Sequence, residues 1–326
     1  TGPYGGVPPW NLVRPDEFIN AFDVAINAST ADIDAIANDP AKPTFENTIV
    51  NLERAGRTLS RLEAMFFVYA SNLNVGAIPD IEKVVVPKLS EHEDSIYQNK
   101  KLFSRISAVY NSPAMQNGTF DLAQRRLVDD RYKTFLRKGA KLNKREKAKL
   151  SQMNTRLARL FTDFSQNVLE DEKGYVTWIN DNSDLGGLPD SVIAAMAGAA
   201  KDRENKGGQW AITNTRSSMD PFLTYSSNRA LREKVWGNYY SRGDNGDKYD
   251  NNKIIAEILK LRAARAKLLG YETHAHWRME PTMAKQPQAA MDLMMKVWPK
   301  ALARVREEVT DMQSIADKEG TKIKIE

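Results

Sequence analysis

Across residues 43–71, PTFENTIVNLERAGRTLSRLEAMFFVYAS, apolar side chains return every three or four positions, at Phe45, Ile49, Leu52, Leu59, Leu62, Phe66 and Tyr69. A strand would need alternation, so this spacing commits the segment to an amphipathic helix with one apolar stripe along its length and Thr44 as its cap. Leu150, Met153, Leu157, Leu160, Phe164 and Val168 repeat the pattern in LSQMNTRLARLFTDFSQNVL, with polar side chains on the other face. The same reasoning predicts helices over about 79–110, 119–138, 189–203, 228–242, 250–269 and 287–319, and one opening at Pro15, whose fixed φ suits a first helical position, with Asp16 and Glu17 behind it. Met291, Met294, Met295 and Met312 on the last of these read as core filling rather than as an adaptable binding groove, and Pro299 inside it should kink it.

Two segments, GYVTWI (174–179) and QWAIT (209–213), are β-branched and aromatic-rich and could pair as a small ribbon. The fold class is therefore mainly α, built of long helices with a minor β ribbon. Residues 1–14, TGPYGGVPPWNLVR, read as an arm with Trp10 and Leu12 available to pin it to a core. No internal repeat and no low-complexity linker separates independent domains.

An apolar fraction of 41% in 326 residues suffices for a packed interior. The formal charge of +5 comes from 47 basic and 42 acidic residues whose signs alternate along most segments. Such mixing describes solvated helix faces rather than a phosphate-tracking surface, so nucleic acid is not an expected partner despite a pI near 9.1. With no cysteine, disulfides, thiolate zinc sites and cysteine nucleophiles are excluded. The longest apolar run, VIAAMAGAA at 192–200, is far too short for a membrane span, so no membrane partner is expected. The chain starts at Thr1 with no basic-then-apolar leader, which suggests trimming and leaves a cytoplasmic or a periplasmic bacterial location open.

The three histidines are the obvious candidates for metal chemistry. His274 and His276 are two residues apart; on a helix that step turns the side chain by about 200°, so the pair would face opposite sides. In an extended segment two imidazoles still fall short of a zinc site, and His92 could join only through tertiary contact. Packing or hydrogen bonding near a helix start is the better expectation for His274 and His276. HEDSI at 92–96 begins like a zincin motif, but Ile96 stands where the second histidine belongs, so His92 and Glu93 do not form that site and His92 reads as a helix-surface histidine. SRGDNGDKYDNN has the density of a calcium loop, yet counting from Asp244 or Asp247 breaks the alternation and no glutamate closes it. It reads as a flexible helix-to-helix connection, and the Arg242-Gly243-Asp244 tripeptide within it carries no adhesive role. DLGGLPD (184–190) reads as a turn and helix entry at Pro189, and no phosphate loop, dinucleotide fingerprint or nucleophile elbow occurs.

Taken in order, FENTIVNLERAG, FSQNVL, NRALREKVW, YDNNKIIAEILKLRAARAKLLGYETHAHW and MAKQP give the chain a resemblance, nearly end to end, to the thimet-oligopeptidase-like zinc metallopeptidases, in particular their peptidyl-dipeptidase Dcp and oligopeptidase A branch. The resemblance implies a mostly helical, two-lobed ellipsoid with a deep channel in which short peptides are cut, Dcp-like members releasing dipeptides from the C-terminus. It also implies a zinc held by two histidines of HExxH and a downstream glutamate, with the motif's own glutamate as general base. None of that motif is in these 326 residues, and DKEGTKIKIE resembles the stretch ahead of the catalytic half, so Glu326 looks like a cut between halves.

The expectations are then specific. Residues 1–326 form the N-terminal helical half of a larger peptidase, with an arm at 1–14, long helices at 15–171, short strands and a helix at 172–215, and a helical region at 216–326 leading toward the catalytic segment. No catalytic residue and no metal ligand belongs to this chain, and substrate-contacting residues are unknown. Zinc belongs to the complete enzyme, bound by the C-terminal segment, and YETHAHW is scaffold. The partners are the C-terminal catalytic half and short peptides, and the chain alone is inactive. The rival reading is a free-standing, noncatalytic helical peptide-binding protein of the same fold.

Overall fold

In the computed structural model, which describes residues 5–325, Pro15–Glu17 make a single 3-10 turn leading into α1 (Phe18–Ala37). The first half of α1 presents Phe18, Phe22 and Ala25 to Leu59 and Phe66 of α3 (Arg57–Asn72) and to Ile78, Ile81 and Val85 of α4 (Ile78–Tyr97). Phe66 sits edge-on to both Phe18 and Phe22, with ring centroids 5.2 and 5.3 Å away. The second half of α1 presents Ile33, Ile36 and Ala37 to a different cluster, with Ile49, with Leu102, Ile106 and Val109 of α5 (Lys100–Tyr110), and with Val128 and Phe135 of α6 (Leu122–Arg137). One helix thus serves two cores. Ahead of it, Trp10 packs on Tyr69 at 5.7 Å, but Leu12 is 67% exposed, so of the two expected anchors only the tryptophan is used.

The stripe over 43–71 is not one helix. Thr44 does cap, in a reciprocal box with Asn47, and a π-helical turn (Phe45–Val50) runs into the short α2 (Asn51–Arg54). The chain then breaks: Ala55 is extended and Gly56 is left-handed at φ +68°, its N–H donating to Asp32 Oδ2 at 3.0 Å. Ile49 serves one core and Leu59 and Phe66 the other, so a straight helix could not deliver the whole stripe. The segment 79–110 is likewise two helices, because Asn99 accepts from Leu102 N–H and starts α5 anew.

The 31-residue α7 (Lys144–Gly174), capped by Asn143 and Glu146, runs along α4. Asn154 donates to Asp94 Oδ1 (2.7 Å), Gln166 to Glu82 (2.7 Å) and Lys147 Nζ to the Gln98 carbonyl (2.9 Å), so the contact is polar as well as apolar. Leu157 and Leu160 of α7 bury Ile258 of α11 (Asn252–Leu268), and Arg156 grips Glu257 with two 2.7 Å bonds.

The expected ribbon forms: β1 (Thr177–Ile179) pairs antiparallel with β2 (Trp210–Ile212), Thr177 opposite Ile212. Its Ile179 and Ile212 pack with Met196 of α8 (Asp190–Lys201), Met219 and Phe222 of α9 (Arg216–Tyr225) and Val235 of α10 (Arg229–Tyr240). The α9 helix, inside the expected helical region but not among the helices predicted from spacing, carries Pro221 inside it, and its serines obscure the apolar spacing. Gly187 makes the turn before α8 at φ +80°, where an added Cβ would stand 2.3 Å from the Tyr225 carbonyl oxygen.

The chain divides into two compact units, Thr1–Leu261 and Arg262–Glu326. The elements above make up the first, α11 reaching past its end. The second contains α12 (His274–Met279) and α13 (Pro287–Lys318), the latter continuous through Pro299. Among the described residues no helix is long and apolar enough to cross a membrane.

Candidate functional site

His92 is not on the helix surface as expected but buried on α4 against α1, its Nε2 2.9 Å from Ser29 Oγ and its Nδ1 3.4 Å from Thr30 Oγ1, because this face of α4 is the one that packs on α1. Burial holds its pKa below the ordinary histidine value. Its neighbour Glu93 points elsewhere, to Lys138 Nζ at 2.8 Å, and Ile96 packs on the core shared by α1, α5 and α6. The zincin-like start of HEDSI is thus spent on helix packing.

His276 and His274 part company within the single turn of α12. Thr273 caps that turn, its Oγ1 accepting from His276 N–H (3.3 Å) and lying 2.8 Å from His276 Nδ1, while His276 Nε2 is 3.6 Å from Glu272. His274 instead lies against Trp277, ring centroids 5.5 Å apart, with a buried Nδ1 that has no hydrogen-bond partner. Burial, followed by the charges of Arg265, Arg262 and Arg278, lowers its pKa to about 4. Arg265 also covers the Trp277 ring at 4.6 Å. Among the described residues no group of three or more histidine, aspartate or glutamate side chains could hold a metal ion.

The loop that resembled a calcium site uses its polar groups to fasten itself to α7. Buried Asp171 accepts from Gly243 N–H (2.7 Å) and Asn245 Nδ2 (2.8 Å), and Asn251 donates its N–H to the Gly243 carbonyl and its Nδ2 to the Phe164 carbonyl. Arg242 lies 3.8 Å over the Tyr239 ring and bonds Glu172 at 2.8 Å, and Asp244 accepts from Asn252 at 2.6 Å, so the Arg-Gly-Asp tripeptide is tied into the fold.

The methionines of α13 are the main correction. Met291, Met294, Met295 and Met312 do not fill a core; all four are exposed, and Ala316 is the one buried residue among those described on this helix. They belong to a longer pattern. Met291, Met295, Trp298, Leu302, Val305 and Val309 follow one another at alternating steps of four and three, and Met312 and Ala316 continue it. Steps of this kind keep one seam facing a partner, and Met294, Ala301 and Ile315 on one flank widen it beyond a two-helix seam to the width of a core-facing helix. Trp298 is 59% exposed at its middle. The alternating spacing was the signal available in the sequence; without knowing which faces this chain covers, it reads equally as interior.

The sequence profile described as peptidase family M3 matches residues 222–326, which include α10 to α13. Over 314 residues the chain is 32% identical to the dipeptidyl carboxypeptidase of Escherichia coli (strain K12), covering 96% of this chain and 45% of that protein. It is 28% identical over 317 residues to the oligopeptidase A of Salmonella typhimurium (strain LT2), covering 96% and 46%. A more distant similarity, 21% over 236 residues, extends to the saccharolysin of Saccharomyces cerevisiae, covering 72% of this chain and 32% of that one. The chain spans less than half the length of these curated relatives. Collinear similarity over nearly all of its residues to two kinds of peptidase, together with the profile match over its last third, places the chain in peptidase family M3.

Proposed function

We propose that this chain is the N-terminal, noncatalytic portion of a zinc-dependent oligopeptidase of the dipeptidyl carboxypeptidase kind, forming part of the enclosure in which short peptides are cut. The observation that carries this reading is the match of 96% of the chain to 45% of the E. coli dipeptidyl carboxypeptidase. The broad apolar seam of α13 supports it: a stripe of that width calls for a multi-element surface, which the rest of a peptidase domain would provide. In this reading the remaining segment brings the HExxH motif and the zinc, and the helices described here supply walls and size selection.

The test is reconstitution. The chain alone, and the chain mixed with a polypeptide from the same source carrying the HExxH segment, are assayed on short peptides with and without a chelator, with products identified by mass spectrometry. The mixture should release dipeptides in a chelator-sensitive way, and Met295→Glu/Trp298→Glu should prevent assembly in sedimentation while leaving the circular dichroism of the free chain unchanged. Chelator-sensitive cleavage by the chain alone would overturn the proposal.

A further inference from the structure

Asn-Gly occurs at two places, Asn117-Gly118 and Asn245-Gly246. In this dipeptide the asparagine side chain is open to attack by the next main-chain nitrogen, because glycine puts no Cβ beside that nitrogen. The fold treats the two pairs in opposite ways. At 245 the leaving group and the nucleophile are both engaged: Asn245 Nδ2 donates to buried Asp171 at 2.8 Å, and Gly246 N–H donates to Asp250 at 3.1 Å. At 117, in the exposed connection between α5 and α6, neither Asn117 Nδ2 nor the Gly118 N–H has a hydrogen-bond partner among the described residues. What is held there is the side-chain carbonyl oxygen. Asn117 Oδ1 accepts from Thr119 N–H at 3.1 Å and from Thr119 Oγ1 at 2.7 Å, closing an Asx turn whose hydrogen-bonded ring contains both Asn117 Cγ and Gly118 N.

We propose that Asn117 is a site of spontaneous covalent modification, converted through a succinimide to aspartate and isoaspartate with water as the co-reactant. Solvent base removes the Gly118 N–H proton, the nitrogen bonds to Asn117 Cγ, and Nδ2 departs as ammonia with a proton from water. Negative charge grows on Oδ1 during the attack, and the two Thr119 donors already point at that atom. Water then opens the ring by breaking one of the bonds to Gly118 N. Cleavage at Cγ leaves aspartate, cleavage at the Asn117 main-chain carbon leaves isoaspartate, and nothing is oxidised or reduced. The isoaspartyl route lengthens the main chain by a methylene just ahead of two anchors: Phe120, packed on Phe45 with ring centroids 5.4 Å apart, and Asp121, which accepts from Gln124 N–H to cap α6. Asn245 is spared while Asp171 holds its amide.

The experiment incubates the full 326-residue chain in mildly alkaline buffer made with heavy-oxygen water, well below its unfolding temperature. Peptide mapping by mass spectrometry then follows deamidation with uptake of solvent oxygen, and electron-transfer fragmentation separates isoaspartate from aspartate. Asn117 should convert at least about tenfold faster than Asn245, because reaction at 245 first requires a hydrogen bond to an ionised carboxylate to break. Asp171→Ala should raise the Asn245 rate toward that of Asn117 and leave Asn117 unchanged, and in urea the two rates should converge. Thr119→Val should slow Asn117 by about twofold to tenfold, the rate equivalent of one exposed hydrogen bond, whereas Thr119→Ser, which keeps the hydroxyl, should restore it. Asn117→Gln should remove the signal from its peptide. Equal rates at the two sites in the folded chain, or a faster Asn245, overturn the assignment. An unchanged Asn117 rate in Thr119→Val with native circular dichroism also overturns it.

Discussion

Gly56→Ala probes the break between α2 and α3 through two separable effects. The first is conformational: at φ +68° an alanine is strained by about 1–2 kcal/mol. The second is spatial, because the new Cβ would stand 2.9 Å from Ser29 Oγ, the hydroxyl that lies 2.9 Å from His92 Nε2. Rotating the hydroxyl away relieves the overlap but leaves a buried imidazole nitrogen unsatisfied, a loss of about 1–3 kcal/mol. The sum, roughly 2–5 kcal/mol, is a large share of the 5–15 kcal/mol that stabilises a typical domain. Urea unfolding followed by far-ultraviolet circular dichroism, on the wild type, Gly56→Ala, Ser29→Ala and the double variant, separates the terms. With Ser29 already alanine only the dihedral strain remains, so the second substitution should cost about 1–2 kcal/mol and the cycle should show a coupling of about 1–3 kcal/mol. A Gly56→Ala cost below about 0.5 kcal/mol, or strict additivity, would refute the reasoning.

Three other outcomes follow from buried polar groups. Because burial lowers the His92 pKa, the neutral ring is the folded form, and the chain should lose stability as pH falls below the unfolded value of about 6.5 toward the lower folded one; His92→Gln should flatten that limb of the urea-midpoint profile. Asp94 behaves oppositely: burial raises its pKa, so its charge weakens the fold at neutral pH and stability returns as pH falls through the raised value toward about 3.9. Asp94→Asn keeps an oxygen for Asn154, and its neutral-pH urea midpoint should match or exceed the wild type while the gain on the acid side disappears. Asp171→Ala strands the Gly243 N–H and Asn245 amide, which should lower stability by roughly 2–4 kcal/mol and expose 241–251 to limited proteolysis; unchanged cleavage there would show that the loop has other anchors.

The mainly helical class and the ribbon were legible because both rest on periodicity and local capping, as at Thr44, Asn143 and the paired segments 177–179 and 210–212. The breaks at Gly56 and Asn99 were not, since an apolar stripe reads the same whether it serves one core or two, and only the tertiary placement of Ile49 against Leu59 distinguishes them. The α13 methionines show the same ambiguity in another form, because spacing fixes which side chains share a face and says nothing about what covers it. His274 and His276 were legible by subtraction, since a two-residue step left them to ring packing and hydrogen bonds, whereas the burial of His92 was not, because a helix-surface reading could not see that its face of α4 meets α1.

The double duty of α1 has a mechanical consequence. A helix whose two ends are embedded in separate apolar clusters acts as a shared strut, so loosening either cluster frees one end and weakens the grip on the other. The two clusters are thereby coupled into one cooperative unit, and amides near the middle of α1, next to Ser29 and His92, exchange with solvent only when both have opened.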